Sequence, residues 1–240
     1  MVSNGSTTSS SGTPVNLVVN NPSPTIASVS PSIELVNSSS PVITVNGTGF
    51  VSTTVIDING SARSTTYTSA TQVSATLTTA DLSTAGALST TAVNPAPGGG
   101  TSTAVSVAVN NPSIGAIQLN PGLLIVGTTT PTTITVTGNT FVPGAVIQVN
   151  GTARATTYVN ATTVTFVATV ADQATQAMLY VTATNPSPGG GTSPISDLNV
   201  SPPTATPVIS SVSPNAFYAG SAATTISITG TGLTSNSIVD

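Results

Sequence analysis

The residues with chemistry to offer are few, and they come in matched pairs. Arg63 and Tyr67 return as Arg154 and Tyr158, and Asp81 returns as Asp172. In an extended strand, positions four apart point to the same side, so each guanidinium is expected near the tyrosine ring of its own repeat. That geometry would make a small exposed contact for sugar or for a neighbouring subunit. The plainer reading of the same residues is a solvated polar strand face. Asp81 and Asp172 raise the question of a metal. Calcium takes six to eight oxygens, usually from several carboxylates close together, and the carboxylates here are scattered, so a cap on a helical turn suits the two aspartates better. Gly98–Gly100 and Gly189–Gly191 resemble a phosphate loop superficially. Such a loop needs a following Lys and a helix, whereas Thr-Ser and an alternating strand follow here, and a turn is expected.

The rest of the composition removes whole classes of function. The 240 residues hold two basic side chains, both Arg, and six acidic ones, with no His, Cys or Trp. Charged residues make up 3% of the chain, against roughly a quarter in a typical globular domain. No imidazole base, thiolate, Schiff-base amine or soft metal ligand exists, so no catalytic, cofactor or metal residues are expected and the chain reads as a non-enzyme. Two cations cannot neutralise a phosphate backbone, which excludes nucleic acid as a partner. No apolar run approaches the eighteen or so residues of a membrane span, and the start, MVSNGSTTSSSG, lacks the basic and apolar regions of an export signal. A surface of Ser, Thr, Asn and Gly is nearly indifferent to pH and salt, which suits an extracellular or cell-surface location. Seven N-x-S/T sequons occur, at Asn4, Asn37, Asn46, Asn59, Asn150, Asn160 and Asn199. N-linked and O-linked sugar both stay open as modifications.

A period organises the chain. DINGSARSTTY at 57–67 returns as QVNGTARATTY at 148–158, and NPAPGGGTS at 94–102 returns as NPSPGGGTS at 185–193, each at a spacing of 91. ITVNGTGF at 43–50 returns as ITVTGNTF at 134–141 and again as ISITGTGL at 226–233. At the start, Val15, Leu17, Val19 and NNP at 20–22 match Val105, Val107, Val109 and NNP at 110–112. The expected organisation is a closing strand in 1–22, complete domains at 23–112 and 113–203, and the opening strands of a further, incomplete domain in 204–240. Pro clusters at each boundary predict linkers of limited bending.

Within a repeat the apolar residues alternate. Ile43 and Val45, Ile56 and Ile58, and Val105, Val107 and Val109 each read in-out-in, the period of half-buried strands. Asn59-Gly60, between two such runs, is a strong hairpin signal. About seven short strands in ninety residues predict an all-β fold of tandem immunoglobulin-like antiparallel β-sandwiches, arranged as beads on a rod, with one helical turn near ADLSTAG at 80–86. Ile43, Val45, Ile56, Ile58, Ile134, Val136, Ile147 and Val149 are the expected core.

PTIASVSP, ITVNGTGF, the V-x-V/I-N-G hairpin, T-x-V-x-A-x-L and VNPAPGGGTS, in the same order in both repeats, resemble the IPT/TIG domains. These are immunoglobulin-like modules of plexins, certain transcription factors and large bacterial surface proteins. Asn139 stands where the motif has Gly49 in the first repeat, and ELVNSSS replaces a glycine-containing approach to the second strand. The transcription-factor branch binds DNA through basic loops that this chain lacks. The resemblance therefore implies the bacterial extracellular branch and a structural component of a filament or stalk that supports adhesion or matrix formation. A glycan-binding module, or an accessory module of a larger secreted enzyme, is the alternative, with surface glycans as partners. Self-association or a continuous repeat chain would build the fibre. The two ends leave two readings open: a window on a longer protein, or strand exchange in which Val15, Leu17 and Val19 of a neighbouring copy enter the edge at Ile226 and Ile228.

Overall fold

The computed structural model describes residues 18–39, 41–203, 205–233 and 237–238. Val15 and Leu17 lie outside the described residues. The chain divides into two compact units. One holds the described residues up to Gly115 together with Thr140–Ala145 and Thr184–Ser193; the other holds Ala116–Asn139, Val146–Ala183 and the described residues from Pro194 onward. The boundary expected at 112/113 thus falls inside the first unit. The physical reason is local, since Asn111, Pro112 and Ser113 hydrogen-bond to the loops at 140 and 186–190.

The first repeat forms ten strands: β1 Thr25–Ser30, β2 Ile33–Leu35, β3 Val42–Thr48, β4 Val55–Ile58, β5 Ser61–Arg63, β6 Thr65–Ser69, β7 Gln72–Thr76, β8 Gly86–Asn94, β9 Gly100–Thr101 and β10 Val105–Asn110. They make two sheets, ordered β1-β3-β7-β6 and β2-β10-β8-β4-β5, with β9 beside β8. The second repeat follows the same order with β11 Gln118–Asn120, β12 Leu123–Ile125, β13 Thr132–Thr137, β14 Val146–Val149, β15 Thr152–Arg154, β16 Thr156–Asn160, β17 Thr163–Ala168, β18 Ala177–Asn185, β19 Gly191–Thr192 and β20 Ser196–Ser201. Each repeat is an immunoglobulin-like β-sandwich.

Alternation decides which side of each strand turns inward, because successive side chains of a strand leave opposite faces. Ile43, Val45, Ile56, Ile58, Ile134, Val136 and Ile147 are fully buried, and Val149 nearly so. In the first sandwich they join Val73, Leu77, Val107 and Val109 in one core. Asn59 and Gly60 both take positive φ, 51° and 77°, which is the mirror-image turn that a two-residue hairpin requires. Asn150 and Gly151 repeat it at 51° and 77°.

Two local expectations differ from the structure. Pairing is antiparallel except that β2 lies parallel to β10, and β12 to β20. These three-residue strands exist only because the last strand of the repeat runs beside them. The helical turn near 80–86 is a plain turn in the first repeat, and its counterpart is the single 3-10 turn Ala171–Gln173. Leu82, the residue after Asp81, is fully buried. At the same position the second repeat buries Gln173, which accepts a hydrogen bond from the Thr132 hydroxyl at 3.0 Å. Among the described residues no helix is long and apolar enough to cross a membrane.

A separate two-stranded sheet pairs β21 Val208–Ser213 with β22 Ser227–Thr231, and β21 is exposed along its whole length. Because Ile56 is enclosed on all sides, Ile56→Ala should lower the unfolding free energy by about 2–5 kcal/mol, read from urea denaturation.

Candidate functional site

The Arg–Tyr pairs do not share a strand. Arg63 ends β5 in one sheet, and Tyr67 lies in β6 of the other, the chain crossing between the sheets at Ser64. The four-residue spacing therefore does not place them on one strand face, which corrects the expected platform; Arg154 in β15 and Tyr158 in β16 repeat the arrangement. Each side chain still faces inward from its own sheet edge. Arg63 stands opposite buried Ile56, and Tyr67 opposite buried Val73. Tyr67 and Tyr158 remain 39% and 36% exposed, so they cover the sandwich edge with one side and meet solvent with the other.

The guanidinium is committed elsewhere. Arg63 donates from Nε to Asp81 Oδ2 at 2.8 Å and from Nη2 to Asp81 Oδ1 at 2.5 Å, a two-pronged pair, while Nη1 donates to the carbonyls of Ser61 and Ala62. Asp81 also closes a reciprocal cap. Its carboxylate accepts from the Thr78 backbone N–H and hydroxyl, and its own N–H donates back to Thr78 Oγ1. Asp81 thus braces a plain turn and not the helical turn expected of it, and the ion pair was not anticipated. Asp172 repeats the cap with Thr169 and accepts from Arg154 Nη2 at 2.7 Å, leaving Arg154 Nε buried without a partner.

These contacts set the ionisation. The hydrogen bond from Arg63 outweighs burial and, with the Thr78 donors, holds the Asp81 carboxyl down to about 2; the same bond raises the Arg63 guanidinium. Burial opposes the charge on Asp172, but the donors of Thr169 and the neighbouring Arg154 leave its carboxyl lowered as well. A cleft of about 230 Å³ beside Asp81 is lined by Asn59, Thr84, Gly86 and Leu88, and no aromatic ring reaches it. Among the described residues no three His, Cys, Asp or Glu side chains gather as a metal would need.

The glycine runs have a definite task, and it centres on two asparagines that the sequence reading passed over. Asn94 is buried at the end of β8, where its Nδ2 donates to the carbonyls of Pro22 and Gly49 at 2.8 and 2.7 Å and its Oδ1 accepts from the Thr54 hydroxyl at 2.6 Å. Asn185 does the same with Pro112, Thr140 and the N–H of Val142. Beside this hub the entering segment docks on the glycine loop. The Asn21 N–H donates to Pro97 O, the Gly99 N–H returns to Asn21 O, and Asn21 Nδ2 reaches Pro95 O. Asn111 repeats all three bonds with Pro188, Gly190 and Pro186. A side chain on Gly98 would stand 2.6 Å from both Asn20 Cβ and Asn21 O, and its φ of +69° is left-handed, so only glycine lets the two segments close. The NNP and NPxPGGG repeats were the available signal, and what hid their partnership is a sequence separation of more than seventy residues.

Of the strand-exchange residues, Val19, Ile226 and Ile228 lie within the described residues. Val19 is 79% exposed and lies in no strand, and Ile226 is 48% exposed just before β22, which contains Ile228. Among the sequons, Asn59 and Asn150 sit exposed at the hairpin turns, where their Oδ1 atoms accept from the Ser89 and Tyr180 N–H groups.

No family model matches this chain, and no curated protein does. Solved structures do. A crystal structure with xylogluco-oligosaccharide shares 18% identity, covering 87% of this chain and 46% of that one, with a TM-score of 0.41. SGBP-B of the Bacteroides ovatus mixed-linkage glucan utilization locus, in complex with a mixed-linkage heptasaccharide, shares 14% over 79% of this chain and 48% of that one, with a TM-score of 0.29. The ICAM-5 D1–D4 ectodomain fragment shares 17% over 74% and 47%, with a TM-score of 0.36. The chain spans about half the length of each. At these identities and TM-scores the likeness carries no argument about function.

Two measurements check the site. Asn94→Asp removes both donated bonds and buries a charge, and should cost about 2–4 kcal/mol at neutral pH in urea denaturation. The carboxyl of Asp81 is lowered on folding, so its contribution is complete above about pH 5 and disappears as pH falls from about 4 to about 2. Wild type should lose about 1–2 kcal/mol more than Asp81→Asn across that window, and none of the difference should appear between pH 6 and 8.

Proposed function

We propose that this chain is a non-catalytic module of IPT/TIG type, working outside the cell as a repeat unit of a surface stalk or filament that supports adhesion or matrix formation. One observation carries the reading. The side chains with most chemistry to offer in the described sandwiches, Arg63, Arg154, Asp81 and Asp172, are bound to one another and to caps, and the glycine loops are filled by the chain's own entering segments. What remains facing solvent is mostly hydroxyl and amide, which makes hydrogen bonds and performs no acid–base or nucleophilic work without an activating partner.

The same reading explains the scarcity of charge. A fold held by aliphatic packing and neutral hydrogen bonds changes little with salt or with pH near neutrality, which suits material that meets uncontrolled surroundings. The sandwiches are also disulfide-free, since the chain has no Cys, so their stability does not depend on the redox state outside the cell.

Glycan binding is the second reading, favoured by the half-exposed rings of Tyr67 and Tyr158 at equivalent edges. Amphipathic rings of this kind offer a flat apolar side to a sugar face. Antibody raised against the chain should label intact cells of the organism that makes it, and label that appears only after lysis would overturn the surface assignment. On gels containing soluble β-glucans the wild-type chain should migrate without retardation. Retardation that Tyr67→Ala/Tyr158→Ala abolishes would put the glycan reading in its place.

A further inference from the structure

We infer that the short parallel pair β2–β10, with its counterpart β12–β20, is a mechanical clamp that lets each sandwich resist tension applied along the chain. The inference goes beyond the surface-module reading and does not depend on it, because the fold sets the path of a pull wherever the protein works.

The path can be traced bond by bond. The chain enters the first sandwich beside the end of β8, where Asn94 Nδ2 donates to the Pro22 carbonyl at 2.8 Å. It leaves from Asn110, the last residue of β10, next to Val109, which stands opposite Gly86 at the start of β8. Entry and exit thus sit at opposite ends of β8, and a pull on them acts along the strands. β2 and β10 run in the same direction. The pull draws β2 back toward its start and β10 onward past its end, so the two slide against each other and every bond between them is loaded at once. An antiparallel hairpin pulled at its two open ends gives way one bond at a time. While the pair holds, tension crosses from β2 to β10 and bypasses β3 to β9.

Two of the clamp bonds run from the Ala108 N–H to Ser32 O and from the Val36 N–H to Asn110 O, each at 2.9 Å. The second sandwich repeats the design. Asn185 holds the entry at Pro112, and the Asn199 N–H donates to Gly122 O at 3.3 Å and the Val126 N–H to Ser201 O at 2.9 Å across the parallel β12–β20 pair.

Surface chemistry changes at the same place. β3, β7 and β13 turn mostly hydroxyl and amide side chains outward, whereas β2 and β12 expose Ile33, Leu35, Leu123 and Ile125. Left in solvent, these aliphatic groups add little to equilibrium stability. Beside the ladder they keep water from an amide that begins to part from its carbonyl, which strengthens the bond under strain.

Pulling the full chain by its two ends in optical tweezers tests this. Each sandwich should open in a single step. Val36→Pro removes one clamp bond from an edge strand and should speed opening of the first sandwich at constant force about tenfold, with the step of the second unchanged. Ile33→Thr/Leu35→Thr leaves the backbone bonds in place and should speed the same step about three- to tenfold, while the urea midpoint stays that of wild type. Ile56→Ala weakens the core away from the path, so it should lower the urea midpoint and yet speed forced opening less than Val36→Pro does. A wild-type rate in Val36→Pro overturns the inference, and so does an Ile56→Ala rate as fast as that of Val36→Pro. If Val36→Pro does not fold, the threonine variant decides, and a wild-type rate under force in that variant overturns the inference.

Discussion

The buried carboxamide of Asn94, matched by Asn185, is the interaction on which the ends of the two sandwiches depend. Three polar segments converge there: the entering chain at Pro22, the loop at Gly49 and the turn at Thr54. Each brings a backbone or hydroxyl group that would be costly to bury unpaired. A carboxamide has donors and an acceptor on one planar group, so a single neutral side chain satisfies all three without bringing a charge indoors. Lys or Asp at that position could meet only one kind of partner. Close convergence then imposes the glycines, since the loop at 98–100 passes within van der Waals contact of the segment it holds. The clustering of Asn, Pro and Gly at the same places in each repeat is one physical solution and not three compositional habits.

At the β5 edge of the sandwich the chain takes the opposite solution and uses charge. Arg63 closes the edge where β5 passes into β6, and it is tolerated there because Asp81 meets it with two oxygens while the Thr78 cap supplies the remaining bonds. The second repeat keeps the partners and loosens the geometry, with one bond from Arg154 to Asp172 and a buried Nε unpaired. Both cations of the chain are spent in this way.

The third copy of the opening strands shows that pattern and burial are separate matters. Its residues carry the same alternation and the same register as β1–β3, yet the side chains that form a core in the first two copies stand in solvent. Residues 214–220, which align with β2 and β12, lie in no strand. A strand of three residues has no standing of its own and is defined by what it pairs with.

The alternation of Ile, Val and Leu, the two-residue Asn-Gly turns and the 91-residue period were legible in the chain by itself, because each depends on neighbours a few residues apart or on plain repetition. They determined the all-β class, the inward side of the strands at Ile43, Ile56 and Val107 and the burial of the core residues from Ile43 to Val149. Tertiary structure alone decided what became of the polar residues. Arg63 and Tyr67 read as one strand because five residues in a row look extended, whereas the chain changes sheets between them, and a turn of direction at Ser64 leaves no mark in hydrophobic period. Asp81 was visible as a cap because a cap is local; its pairing with Arg63 spans eighteen residues and two loops, and nothing in the spacing encodes it. Asn94, Pro22 and Gly49 are further apart still, and they meet only because two sheets have already stacked and brought their ends to one place.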